Sequence, residues 1–89
     1  MPAPDASHDP ATLALHALAW TLAEPQRAQR LLDTTGLSVA DLRQSASDRA
    51  TQAALLGFLA AHEPDLVACA TAIGVSPAAL VAAYTVLDA

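Results

Sequence analysis

"TTGLSVADL", Thr34 to Leu42, reads as a helix stop followed at once by a helix start, and that reading decides the fold. Gly36 stands where a helix end takes the left-handed conformation, which glycine adopts at little steric cost. Ser38 can then accept the N–H of residue 41, and Asp41 sits where the acid of a capping box would lie. Thirty-eight residues later "AIGVSPAAL", Ala72 to Leu80, repeats the punctuation, with Gly74 as the stop and Ser76 with Pro77 as the start.

Working outward from these two phrases divides the whole chain into helices. Asp9 supplies an N-cap and Pro10 a first helical residue, so helix 1 runs from there to about Ala23. Pro25 ends it and opens helix 2, which closes at Gly36. Helix 3 starts at Ser38 and ends near Ala46. Ser47 or Asp48 caps helix 4, which reaches about His62. Pro64 opens helix 5, Gly74 closes it, and Ser76 opens helix 6. The order helix, "EP" (Glu24, Pro25), helix, "GLS" (Gly36 to Ser38), helix is matched by helix, "EP" (Glu63, Pro64), helix, "GVS" (Gly74 to Ser76), helix. Two explanations stay open: an internal duplication of a three-helix unit, or short helical turns drawing on Pro, Gly and Ser for the same local reasons.

Composition agrees with an all-α fold. The 89 residues are 54% apolar with one Trp, one Tyr and one Phe, so the core is Ala and Leu, the strongest helix formers. A chain of this length forms one domain and buries roughly 60 to 65% of the surface its unfolded form exposes. The expectation is a compact bundle of five or six short helices over residues 9–89, behind a mobile N-terminal tail, residues 1–8. At 100° per residue, helix 1 carries Leu15, Leu18 and Leu22 on one side and Leu13, Ala17 and Trp20 on the other. Helix 4 sets Leu55, Leu56, Phe58 and Leu59 opposite a ridge of small residues, Ala53, Gly57 and Ala61. Helices apolar all round are central in a fold or covered by a partner. Helices 2, 3 and 6 read as one-sided, through Ala28, Leu31, Leu32 and Thr35; Val39, Leu42 and Ala46; and Leu80, Tyr84 and Leu87.

Charge narrows the function classes. The formal charge is −5, with four Arg and no Lys. An acidic chain repels phosphates and anionic membranes at long range, which counts against nucleic acid and lipid as partners. Arg27, Arg30, Arg43 and Arg49 nevertheless lie in one stretch, and helix-turn-helix spacing around Gly36 and Gly74 leaves DNA binding through them as the alternative reading. Helix 6 offers no Lys, Arg, Asn or Gln for reading bases. The single Cys69 makes no internal disulfide, falls mid-helix, and reads as a small buried hydrophobe. No zinc motif, glycine loop for phosphate or nucleophile elbow is present, and the carboxylates at helix starts suit capping before catalysis. No apolar stretch reaches the ~18 residues of a bilayer span and no secretory signal is visible, so a cytoplasmic protein is expected.

The residues "ALAW" (Ala17 to Trp20), "TGL" with "DLR" (Thr35 to Leu37, Asp41 to Arg43) and "FLAAHEP" (Phe58 to Pro64) resemble the short bacterial proteins of the domain-of-unknown-function family numbered 3572. The likeness covers Leu13 to Ala83. In that family an acidic residue is usual before the phenylalanine; this chain has Gly57 there. The resemblance implies a small helical protein without an assigned activity.

The resulting expectation is a non-catalytic protein, with no cofactor, metal or small-molecule ligand, that self-associates or captures a protein partner. Trp20, Leu13 and Ala17 are the interface candidates, since Trp is enriched at binding hot spots. Arg27, Arg30 and Arg43 are the candidate polar rim.

Overall fold

A computed structural model describes residues 9–89; the expected mobile tail, 1–8, lies outside them. The described chain forms six helices: α1 (Pro10–Leu22), α2 (Pro25–Thr35), α3 (Val39–Gln44), α4 (Arg49–Ala60), α5 (Glu63–Ile73) and α6 (Pro77–Asp88). The all-α bundle expected from the sequence is thus the fold.

Local chemistry sets most of the boundaries. Asp9 Oδ2 accepts the Thr12 N–H and hydroxyl at 3.0 Å each, and Pro10 follows at the first helical position. Glu24 caps α2 by accepting the Gln26 N–H. The capping box of α3 is complete: Asp41 N–H donates to Ser38 Oγ, and Ser38 N–H donates to Asp41 Oδ2, each at 3.0 Å. That bond from the Ser38 backbone, with the one from its hydroxyl, holds the Asp41 carboxyl below its ordinary value. Gly36 and Gly74 both close their helices in the left-handed region, at φ +74° and +81°. At α4 the structure departs from expectation. Asp48 occupies the N-cap position without a side-chain cap bond, and the preceding turn is tied instead by Gln52 Nε2 donating to the Ala46 carbonyl at 3.0 Å.

Four helices, α1, α4, α5 and α6, each touch the other three, and α2 lies against α1 and α4. The two apolar-all-round helices, α1 and α4, both belong to this group. The core is leucine: Leu13, Leu31, Leu42, Leu56, Leu59 and Leu80 are all buried, each worth about 2 kcal/mol relative to exposure. The small-residue side of α4 receives α6, the most extensive helix contact in the molecule. The Tyr84 ring lies flat enough on Gly57 that a Cβ there would stand 3.0 Å from Tyr84 Cε1.

The punctuation recurs in the two halves but the packing does not. α6 is twelve residues and lies along α4, whereas α3 is six residues and makes no comparable contact with α1. Two outward positions also differ from the periodicity. Leu15 is 44% exposed on α1, and Val39 is 39% exposed on α3. In each case the neighbouring helices cover a different arc from the one the leucines and valine alone suggest.

Candidate functional site

The residues nominated by the sequence fall into three environments. Leu13 and Ala17 are buried at 1% and 0%, on the arc of α1 turned toward the core, so they have no surface with which to meet a partner. Trp20 is half-buried against the core. Arg27 from α2 lies over its ring, the guanidinium carbon 3.7 Å from the centroid, while Arg27 Nη2 donates to the Trp20 carbonyl at 2.6 Å. A cation stacked on a ring face and bonded to the same residue's backbone is a staple between helices. Trp20 is thereby occupied within the chain.

The arginines do not form one surface. Arg30 Nη1 pairs with Asp65 Oδ2 of α5 at 2.9 Å. Arg49 clasps the end of α6: its Nε donates to the Leu87 carbonyl at 2.9 Å, and its Nη2 to the carbonyls of Val86 at 2.6 Å and Ala89 at 3.3 Å. Positive charge at a helix C-terminus satisfies orphan carbonyls and opposes the negative end of the dipole. Arg43 is exposed on α3. Arg27 and Asp65 also both act on Cys69, which is fully buried. Burial pushes this thiol up to about 11; Arg27 draws it down and Asp65 adds to the rise. The sulfur is protonated at neutral pH and has no thiolate to offer. Among the described residues, no three His, Cys, Asp or Glu side chains converge as a metal site requires.

The feature that stands out is elsewhere. From Leu66 to Leu87 the chain carries no Asp, Glu, Lys, Arg or His in 22 consecutive residues. This run includes most of α5, the Gly74 turn and nearly all of α6. Five of its residues are buried, Leu66, Cys69, Ala70, Leu80 and Ala83. Others face water. On α5, Val67, Ala68, Thr71 and Ala72 are exposed; on α6, Ala78, Val81, Ala82, Thr85 and Val86 are exposed. Their spacing of three and four residues makes each set one helical stripe. Val67, Val81 and Val86 are 42%, 41% and 52% exposed, so three of the five large exposed apolar side chains of the described chain belong to this run. The two helices are in contact and joined by three residues. The Val75 N–H donates to the Ala70 carbonyl at 2.9 Å, which closes the turn without any charged side chain.

Two open grooves flank α4 and share Gly57. One, of about 680 Å³, lies between Arg49, Ala53, Ala54 and Tyr84. The other, of about 470 Å³, lies between Arg30, Asp33, Thr34, Phe58 and His62. It gathers an acid, a hydroxyl and an imidazole, but among the described residues no hydrogen bond joins these three to one another; Asp33 instead accepts from Gln29.

The fold is that of a small six-helix all-α domain whose last two helices carry no charged side chain of their own between Leu66 and Leu87. Residues 7–89 match the family model described as "Protein of unknown function (DUF3572)", and the chain belongs to that family, as the quoted motifs imply. No curated protein and no solved structure matches the chain. Among the described residues, no single helix is long and apolar enough to cross a membrane.

Proposed function

We propose that the protein is a non-catalytic interaction module of the cytoplasm that binds a protein partner through the exposed face of α5 and α6. The carrying observation is nine exposed residues on two touching helices, all apolar or threonine, with Arg49 bonded to the carbonyls at the far end of α6. Charged side chains are depleted at the centres of protein interfaces, because a charge there must give up its hydration. The rest of the surface is ordinary by comparison, with all 13 charged residues outside this run. A free buried cysteine and a fold without disulfides suit a reducing compartment.

The nucleic-acid alternative loses its support in the side-chain geometry. Arg27, Arg30 and Arg49 are each spent on intramolecular partners, and α3, which carries Arg43, spans six residues. The face centred on Trp20, Leu13 and Ala17 is disfavoured as the binding face, because Leu13 and Ala17 are buried and Arg27 covers one side of the half-buried Trp20.

Site-specific photo-crosslinking in the producing cell tests the reading. A benzophenone amino acid at Val67 is expected to give an adduct of defined mass, absent when the probe is at Gln44 on α3, and lost when Val81→Glu is added. Adducts at neither position, or equal adducts at both, overturn it.

A further inference from the structure

Beyond the partner-binding reading, and independently of it, we propose that the groove between α2 and the end of α4 binds a free α-amino acid with a large apolar side chain. The groove offers about 470 Å³, within the roughly 300–1,000 Å³ of small-molecule sites, which join apolar walls to a few polar groups. Its apolar side is Gly57, Phe58 and Ala61. Gly57 has no side chain and Ala61 only a methyl, so the Phe58 ring is the one bulky group there. The α2 side supplies Arg30, Asp33 and Thr34, and His62 stands in the turn after α4.

Charge selects the ligand. Arg30 and Asp33 lie one helical turn apart, where opposite charges ordinarily meet. Here they do not pair with each other. Arg30 Nη1 reaches Asp65 at 2.9 Å, and Asp33 Oδ1 accepts from Gln29 Nε2 at 2.8 Å. That leaves Asp33 Oδ2 and the remaining N–H groups of the half-exposed Arg30 guanidinium to serve a ligand. An anion entering the groove meets the Asp33 carboxylate and a chain of net charge −5, and a cation meets Arg30. A neutral apolar molecule strips water from both charges and returns no hydrogen bond. A zwitterion satisfies both: its carboxylate accepts from Arg30 while its ammonium donates to Asp33. Having no net charge, it is not repelled by the −5.

The spacing points to the α-amino acid among zwitterions. Side chains one turn apart have Cβ atoms roughly 5–6 Å from each other, which suits an ammonium and a carboxylate carried on a single carbon. The third substituent of that carbon then falls to Gly57, Phe58 and Ala61, and an apolar one is what they accept. The Thr34 hydroxyl and the His62 ring add donors for the carboxylate. Because the charged groups are exposed, each ion pair is weak, and the dissociation constant expected is on the order of 1 mM.

Titration of the nitrogen-15-labelled full chain, followed through its amide NMR shifts, is the test. L-Phenylalanine is expected to give saturable shifts at Asp33, Thr34, Gly57, Phe58 and His62. Phenylpropionate lacks the ammonium, phenethylamine lacks the carboxylate and glycine lacks the side chain; each should bind about fivefold more weakly or worse. Asp33→Asn, at an exposed position, should keep the wild-type circular dichroism, weaken phenylalanine about fivefold and bring phenylpropionate level with it. Asp88→Asn, which removes the same charge outside this groove, should bind phenylalanine as the wild type does.

A phenylalanine titration that stays linear to the solubility limit overturns the inference. So does equal affinity for any of the three truncated probes, an Asp33→Asn chain that binds as the wild type does, or an equal loss in Asp88→Asn. Any of these failures leaves the α5–α6 reading standing, because the groove and that face share no residue.

Discussion

Arg30 and Asp65 allow a quantitative test of how α2 is held to α5. The Asp65 carboxylate is 13% exposed and the Arg30 side chain 46%, with 2.9 Å between Nη1 and Oδ2. Among the described residues no aligned hydrogen bond reaches Oδ2, so the guanidinium is what offsets its lost hydration. Breaking a fully buried pair by removing one partner costs 3–5 kcal/mol, and an exposed pair is worth 0–1. This pair lies between, so Arg30→Met should cost about 2 kcal/mol, and for a domain of this size lower the melting temperature by on the order of 10 °C. Most of that loss is the stranded carboxylate. Asp65→Asn keeps the shape and removes the charge, so Arg30→Met with Asp65→Asn should recover about half of the loss, to roughly 1 kcal/mol. Urea unfolding followed by circular dichroism gives all four free energies, with the slope in urea unchanged across the set. A double variant destabilised by the sum of the two single losses would show that the two groups are independent, and the reasoning would fail.

Further outcomes follow from the thiol, the caps and the turns. Cys69 should resist a thiol reagent in the folded protein and react on unfolding. Since the folded state holds this proton to about 11 against 9.0 for the free thiol, stability should be unaffected by Cys69 below pH 9 and fall as pH rises from 9 toward 11. The Asp41 carboxyl is held below its ordinary value of 3.8, so its contribution is present above that value and is lost as pH falls through its lowered range. Ser38→Ala keeps the backbone N–H that donates to this carboxylate, so it should lessen the acid sensitivity without abolishing it, and lower the melting temperature by a few degrees in a thermal scan. Gly36→Ala and Gly74→Ala should each cost about 1–2 kcal/mol, because a Cβ meets nothing within 4 Å at either site and only the left-handed backbone resists it. Unequal losses in chemical denaturation would mean that something other than φ governs one of the turns.

Much of the helix plan was legible because its determinants are local. Asp9 with Pro10, Pro25, Gly36, Ser38 with Asp41, Gly74 and Ser76 with Pro77 act over four residues or fewer, and the observed boundaries follow them. Asp48 does take the N-cap position of α4 but without a side-chain cap bond, and the turn before it is tied through Gln52 and Ala46. The family was legible too, from motifs spread over most of the chain. The outward side of α1 was not. Leu13 and Leu15 are equally apolar, and only the placement of α4, α5 and α6 decides that the first is buried and the second exposed. The same holds for the arginines. Their clustering in sequence suggested one surface, yet Arg30 reaches Asp65 and Arg49 reaches the α6 carbonyls, over separations of 35 or more residues that no local pattern encodes. The signal for the candidate face was present as the charge-free run from Leu66 to Leu87. What hid it is that an uncharged stretch looks like core until exposure separates Val67 and Val81 from Leu66 and Leu80.

The close seating of Tyr84 on Gly57 ties the inheritance of two distant positions together. With 3.0 Å available where a side chain would begin, any descendant acquiring a side chain ahead of Phe58 must let the phenol ring give by a few tenths of an ångström, so selection on one of those sites should be felt at the other.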